Sequence, residues 1–192
     1  MGTEFENTPV AQPSAIGVLE VSSIAKGYVV LDSLVKRALV TVRLAEPVTP
    51  GKFVILFHGQ VADVEESMAA AQEAAGSTLI DELYLSHVHP QLLPALTGTA
   101  SGAVGEAVAI IELSTIAATL HAADIALKAT EVSVLKMHLA VGIGGKGFFT
   151  LGGEHADIES AMDAIRDGTA ENLIVSMELI PRPHAEVRGF LS

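Results

Sequence analysis

The stretch AIGVLEVSSIA, residues 15–25, returns as AVAIIELSTIA at residues 107–117, 92 positions further along a chain of 192. Asp32 and Lys36 return at the same offset as Asp124 and Lys128. Further on the offset becomes 94: GKF at Gly51 matches GKG at Gly145, and ADVEESM at Ala62 matches ADIESAM at Ala156. LSHVHP from Leu85 then falls on LIPRPH from Leu179. Self-matching segments in one order mean a duplicated unit, with two residues gained between the early and late matches. The divisions that follow are a tail over 1–14, a first domain over 15–97, a linker over 98–105 and a second domain over 106–192. The join itself, TGTASGAVG at 97–105, is small and polar, as a connector should be.

Each half carries one pattern of elements. IGVLEV reads as a strand, and SIAKGYVVLDSLVKRA repeats its apolar residues near helical spacing, with Ser22 or Ser23 available as N-cap. VTVRL alternates, PVTPGK turns and FVILF returns, which predicts two strands joined as a hairpin. VADVEESMAAAQEAAG is rich in helix formers and stops at Gly76, with Gly168 expected to do the same in the second half. LIDELYL closes the unit as a strand. The order β-α-β-β-α-β predicts an α+β fold of two tandem ferredoxin-like domains, each with its helices on one face of a mainly antiparallel sheet.

Composition narrows the partners. Apolar residues make up 49% of the chain and mean hydropathy is +0.46, yet the greasiest run, AVAIIELSTIAATL, is interrupted by Glu112. Apolar excess with no spanning segment predicts surface buried between subunits, hence an obligate oligomer and no membrane partner. A formal charge of −12 repels phosphate backbones, so nucleic acid is not an expected partner. Without cysteine the chain has no disulfide, zinc-thiolate or cysteine-ligated cluster to offer. The opening MGTEFENTPVAQPS has no hydrophobic run, so it reads as a loose tail of a cytoplasmic protein.

GIGGKGFF, residues 142–149, invites a phosphate-loop reading that its context refuses. A Walker loop needs glycine five positions before its GK pair and a hydroxyl after it; Ala140 and Gly147 stand there. Gly142, Gly144 and Gly147 spell GxGxxG, but the FFTLGG that follows reads as a strand, so no helix N-terminus faces a pyrophosphate. The glycines predict a tight strand connection, which leaves the lysine in the loop unexplained. His87 and His89 share a spacing of two but lack a third ligand nearby, so no metal site is expected. No nucleophile-elbow motif is present, and no set of residues points to catalysis.

The duplicated AIGVLE and AVAIIE openings, the two DxxxK helices, the GIGGK loop and the terminal IPRPH together resemble the shell proteins of bacterial microcompartments. The likeness is to the tandem-domain, propanediol-utilisation type, and it runs from Ala15 to about Leu191. Each half begins at the strand that starts a single-domain shell protein, so the non-permuted tandem class is implied. The resemblance implies a homotrimer acting as a pseudohexamer, a tile that joins other shell proteins edge to edge around an enzyme core. It implies no catalysis and no cofactor. Lys36 and Lys128 inherit the role of tile-edge lysines, and Arg182 that of the edge arginine, where the first half has Val88. Thr49, Pro50 and Gly51 correspond to the loop that faces the central pore for small polar metabolites, and Gly144, Gly145, Lys146 and Gly147 to its counterpart in the second half. Some relatives carry a cluster-binding cysteine where this chain has Thr49, so an electron-carrying role is not implied. The alternative is a soluble oligomeric enzyme or small-molecule-binding module on the same duplicated fold.

Overall fold

The computed structural model describes residues 14–99, 102–139 and 142–191; the tail over 1–13 and part of the linker lie outside them. The first half runs β1 (Ala15–Val21), α1 (Ile24–Arg37), β2 (Thr41–Val48), β3 (Lys52–Gly59), α2 (Val61–Ala75) and β4 (Leu79–Leu85). A short helix, α3 (Leu92–Leu96), follows. The second half repeats the plan with β5 (Ala107–Leu113), α4 (Ile116–Ala129), β6 (Ser133–Leu139), β7 (Gly147–Gly153), α5 (His155–Gly168) and β8 (Ile174–Pro181), then closes with α6 (Ala185–Leu191). The two sheets have the orders β2-β3-β1-β4 and β6-β7-β5-β8, and every paired strand is antiparallel. This is the ferredoxin-like arrangement expected from the sequence, in tandem and unpermuted. The short helices α3 and α6 were not foreseen.

Local chemistry sets the helix ends. The Ser23 hydroxyl accepts from the Lys26 amide at 3.3 Å, and Thr115 does the same for Ala118 at 3.0 Å, so the cap is Ser23 rather than Ser22. Gly76 ends α2 with φ 52° and donates its amide to the Gln72 carbonyl. Gly168 does something else. It lies inside α5, whose cap is Thr169, and a β-carbon on it would stand 2.7 Å from Ile125 Cδ1. Its smallness lets α5 approach α4, a packing requirement that imitates a stop signal in the sequence.

The two cores solve one packing problem in opposite ways. In the first half Gly27 on α1 leaves space for the Phe53 ring, which an added β-carbon would meet at 2.3 Å. At the matching positions of the second half the helix carries the bulk, Thr119, and the strand carries the glycine, Gly147. Either pair fills the space between helix and sheet at native density.

Burial divides the strands unequally. All of β1 is buried: Leu19 and Val21 face α1 and α2 with Phe53, Ile55 and Phe57, whereas Ile16 and Val18 join a core shared with the second half. In β5 the positions matching Val18 and Glu20, namely Ile110 and Glu112, are only partly covered.

Candidate functional site: the junction and the glycine loops

Glu20 joins the two halves. It sits on the outward face of β1, fully buried, and its Oε1 accepts from the backbone amides of Ile116 at 2.7 Å and Ala117 at 3.3 Å. Those amides open α4, where the first-turn donors lack intrahelical acceptors and the helix dipole favours an anion. Lys52 Nζ donates to the other oxygen at 3.2 Å. Burial pushes the Glu20 carboxyl above its ordinary value of 4.5, with Lys52 and the two amides pulling it back. Along the same junction α4 buries Ile116, Leu120, Asp124 and Leu127.

The far end of α4 is tied as well. Asp124 accepts from the His89 amide at 2.8 Å and from Lys128 Nζ at 2.5 Å, and Lys128 also donates to the His87 carbonyl at 2.5 Å. The structure thus places Lys128 at the join between halves, with its side chain 46% exposed. Its counterpart Lys36 stands on open surface and pairs with Asp32 one helical turn away at 2.6 Å. His87 and His89 serve this join through their backbone atoms, and among the described residues no group of three or more His, Cys, Asp or Glu is placed to hold a metal. Arg182 takes a positive φ of 50°, and its amide donates to the Glu106 carbonyl at 2.8 Å while its side chain extends into solvent.

The two glycine loops meet at one end of the molecule. Thr49, Pro50 and Gly51 are exposed at the tip of the β2–β3 hairpin, and Gly51 has φ 117°. Gly144 and Gly145, in the β6–β7 connection, have φ 71° and 78°. A β-carbon on Gly145 would stand 2.7 Å from the Thr49 carbonyl oxygen, so its glycine serves both a left-handed turn and contact with the other loop. Lys146 Nζ donates to Glu112 at 2.8 Å, as Lys52 does to Glu20. That answers why a lysine follows these glycines: it anchors the loop base to the neighbouring strand. The Glu–Lys pairs were visible as residues recurring in both halves, but nothing in the linear sequence brought a strand glutamate to a hairpin lysine.

A cleft of about 560 Å³ lies between the halves, lined by Arg43, Leu56, Leu93, Leu96 and Met137 among others. On its rim Arg43 Nε donates to His58 Nε2 at 2.7 Å. Burial first, and the Arg43 charge second, hold the His58 imidazole below its usual 6.5. Among the described residues no helix is long and apolar enough to cross a membrane.

Comparison with known proteins gives this architecture a family. Residues 15–92 and 107–183 each match the BMC domain. The chain is 38% identical to the bacterial microcompartment shell protein PduT of Citrobacter freundii, over 88% of this chain and 93% of that one. The crystal structure of a microcompartment protein from Desulfitobacterium hafniense superposes with a TM-score of 0.83 at 37% identity, covering 92% of this chain and 98% of that one. A fused, permuted hexameric shell protein of the RMM microcompartment shares the fold, with a TM-score of 0.58 at 21% identity over 81% of each chain. Two BMC domains in tandem, joined through a buried glutamate and showing no permutation, make this chain a member of the bacterial microcompartment shell protein family, whose role is structural.

Proposed function

We propose that the chain is a trimeric tile of a microcompartment shell, with a central opening for small polar metabolites. The observation that carries this reading is the join between halves. The first sheet covers the outer face of α4, while the matching face of α1 and the matching part of the second sheet stay open. One chain therefore holds a third of a ring, with an unused surface of each kind at its two flanks. A closed ring of three chains leaves neither flank exposed. The contact between Thr49 and Gly145 supports an opening at the ring centre, because it sets both loops at the same end of the chain. Thr49, Pro50, Gly51, Gly144, Gly145, Lys146 and Gly147 then border that opening. Lys36, Lys128 and Arg182 serve contacts between tiles. Light scattering should give the mass of three chains, and electron microscopy should show extended sheets at high protein concentration. A stable monomer or dimer would refute the trimer, and discrete particles that never tile would favour a soluble binding module.

A further inference from the structure

Building on that trimeric reading, we infer that Glu112 of one copy caps helix α1 of the next, repeating between chains the bond that Glu20 makes within one. The chain supplies its own template. Within it, a glutamate on the outer face of the first strand enters the N-terminus of the following half's helix, and the helix lays four side chains along that sheet.

The parts of a second such contact are present and uncovered. On α1, Ile24, Tyr28, Asp32 and Val35 match Ile116, Leu120, Asp124 and Leu127 of α4. Three of them are large apolar side chains on the surface: Ile24 is 41% exposed, Tyr28 56% and Val35 44%. Their spacing of four, then four, then three residues keeps all four positions on one helix face. On the receiving side, Ile110 and Glu112 of β5 and Ile180 of β8, which share one face of the sheet, are only partly covered. Monomeric proteins seldom leave facing apolar surfaces of this kind open.

Electrostatics set the register. Lys146 holds one oxygen of Glu112 at 2.8 Å, as Lys52 holds one oxygen of Glu20, which leaves the other carboxylate oxygen to accept amides. The amides of Ile24 and Ala25 lie in the first turn of α1, which is exposed, and Ser23 serves the amide of Lys26. A carboxylate there meets two donors and the positive end of the helix dipole. The far end of the contact is not copied. His89, whose amide binds Asp124, is replaced by Pro183, which has no amide hydrogen, so recognition concentrates at Glu112.

The test uses the full chain and reads its assembly by sedimentation over a dilution series. Glu112 is partly exposed, so its variants should fold, which circular dichroism checks. Glu112→Arg should raise the concentration of half-assembly by at least about thirtyfold, as loss of a desolvated charge contact does, and Glu112→Gln, which keeps the acceptor oxygen, should fall between. Since the chain has no cysteine, Glu112→Cys with Ile24→Cys, treated at high concentration with a short bifunctional maleimide, should link chains to one another. Either single variant should not. A trimer that Glu112→Arg leaves intact and that the cysteine pair does not link overturns this contact while sparing the trimer. A wild-type chain that is itself monomeric overturns the trimer and this contact with it.

Discussion

Gly147 lies so close to Thr119 that a β-carbon on the glycine would stand 2.3 Å from the threonine hydroxyl oxygen. The first half holds the same space with the sizes exchanged, as Phe53 against Gly27. Gly147→Ala should therefore lower stability by about 1–3 kcal/mol through overpacking. Adding Thr119→Gly recreates the first-half solution and should recover part of that loss, less about 1 kcal/mol for a glycine within a helix. Urea unfolding of the four chains of this cycle checks it. Additive effects would mean that the two residues do not share the space.

Removing the Glu20 side chain should cost more than removing its charge. Glu20→Ala leaves Lys52 and two helix amides without their common acceptor, and loss of one partner from a buried pair costs about 3–5 kcal/mol. Glu20→Gln keeps an oxygen for the amides and relieves the burial of a carboxylate, so it should be the milder change. Thermal melts that rank Gln below Ala would contradict the geometry.

The His58 imidazole should make the chain acid-sensitive. Its folded value lies below 6.5, so below that pH the unfolded state binds more protons and stability falls as the solution is acidified. The loss levels off once pH drops below the folded value. Glu20 works in the other sense: its carboxyl is raised above 4.5, so the folded state gains protons first and acidification toward 4.5 favours it. Melting temperatures between pH 7.5 and 5 should decline in the wild type and decline less in His58→Gln. A flat wild-type profile would remove His58 from this role.

Lys36→Asp should block sheet growth and leave the ring intact. The residue is exposed and paired only with Asp32 in its own helix, an interaction worth about 0.3–0.5 kcal/mol, so folding should barely change. Lys128→Asp is a different experiment. It sets a carboxylate beside buried Asp124 and removes a donor from the His87 carbonyl, so besides weakening the contact between tiles it should loosen the join between halves and lower the melting temperature. Negative-stain microscopy and melting curves of the two variants separate the effects. If both variants behave alike, edge and join are not distinct.

The element order and strand topology were legible because duplication displayed the same alternation and helix spacing twice. The Ser23 cap of α1 was legible to within one residue. Gly168 was misread because a glycine near a helix end looks the same whether it stops the helix or admits a neighbour. Only Ile125, 43 positions away, decides which. The Thr49 and Gly145 loops could be named from the sequence, whereas their mutual contact depends on how one sheet sits against the other. Glu20 was read only as part of a strand repeat. Its meaning depends on helix amides 96 residues later.

Because both halves belong to one chain, the joint at Glu20 is closed within a single molecule and does not respond to dilution, whereas a joint between chains does. A tether raises the local concentration of one partner at the other to about the millimolar range without adding a contact. Dilution of any assembly should therefore stop at whole chains and never release half-chains. The inner joint is also free of any need to fit a copy of itself, so its residues can drift as a matched couple. Glu20 is already sealed under an alanine-rich helix, while Glu112 stands partly exposed beside Lys146.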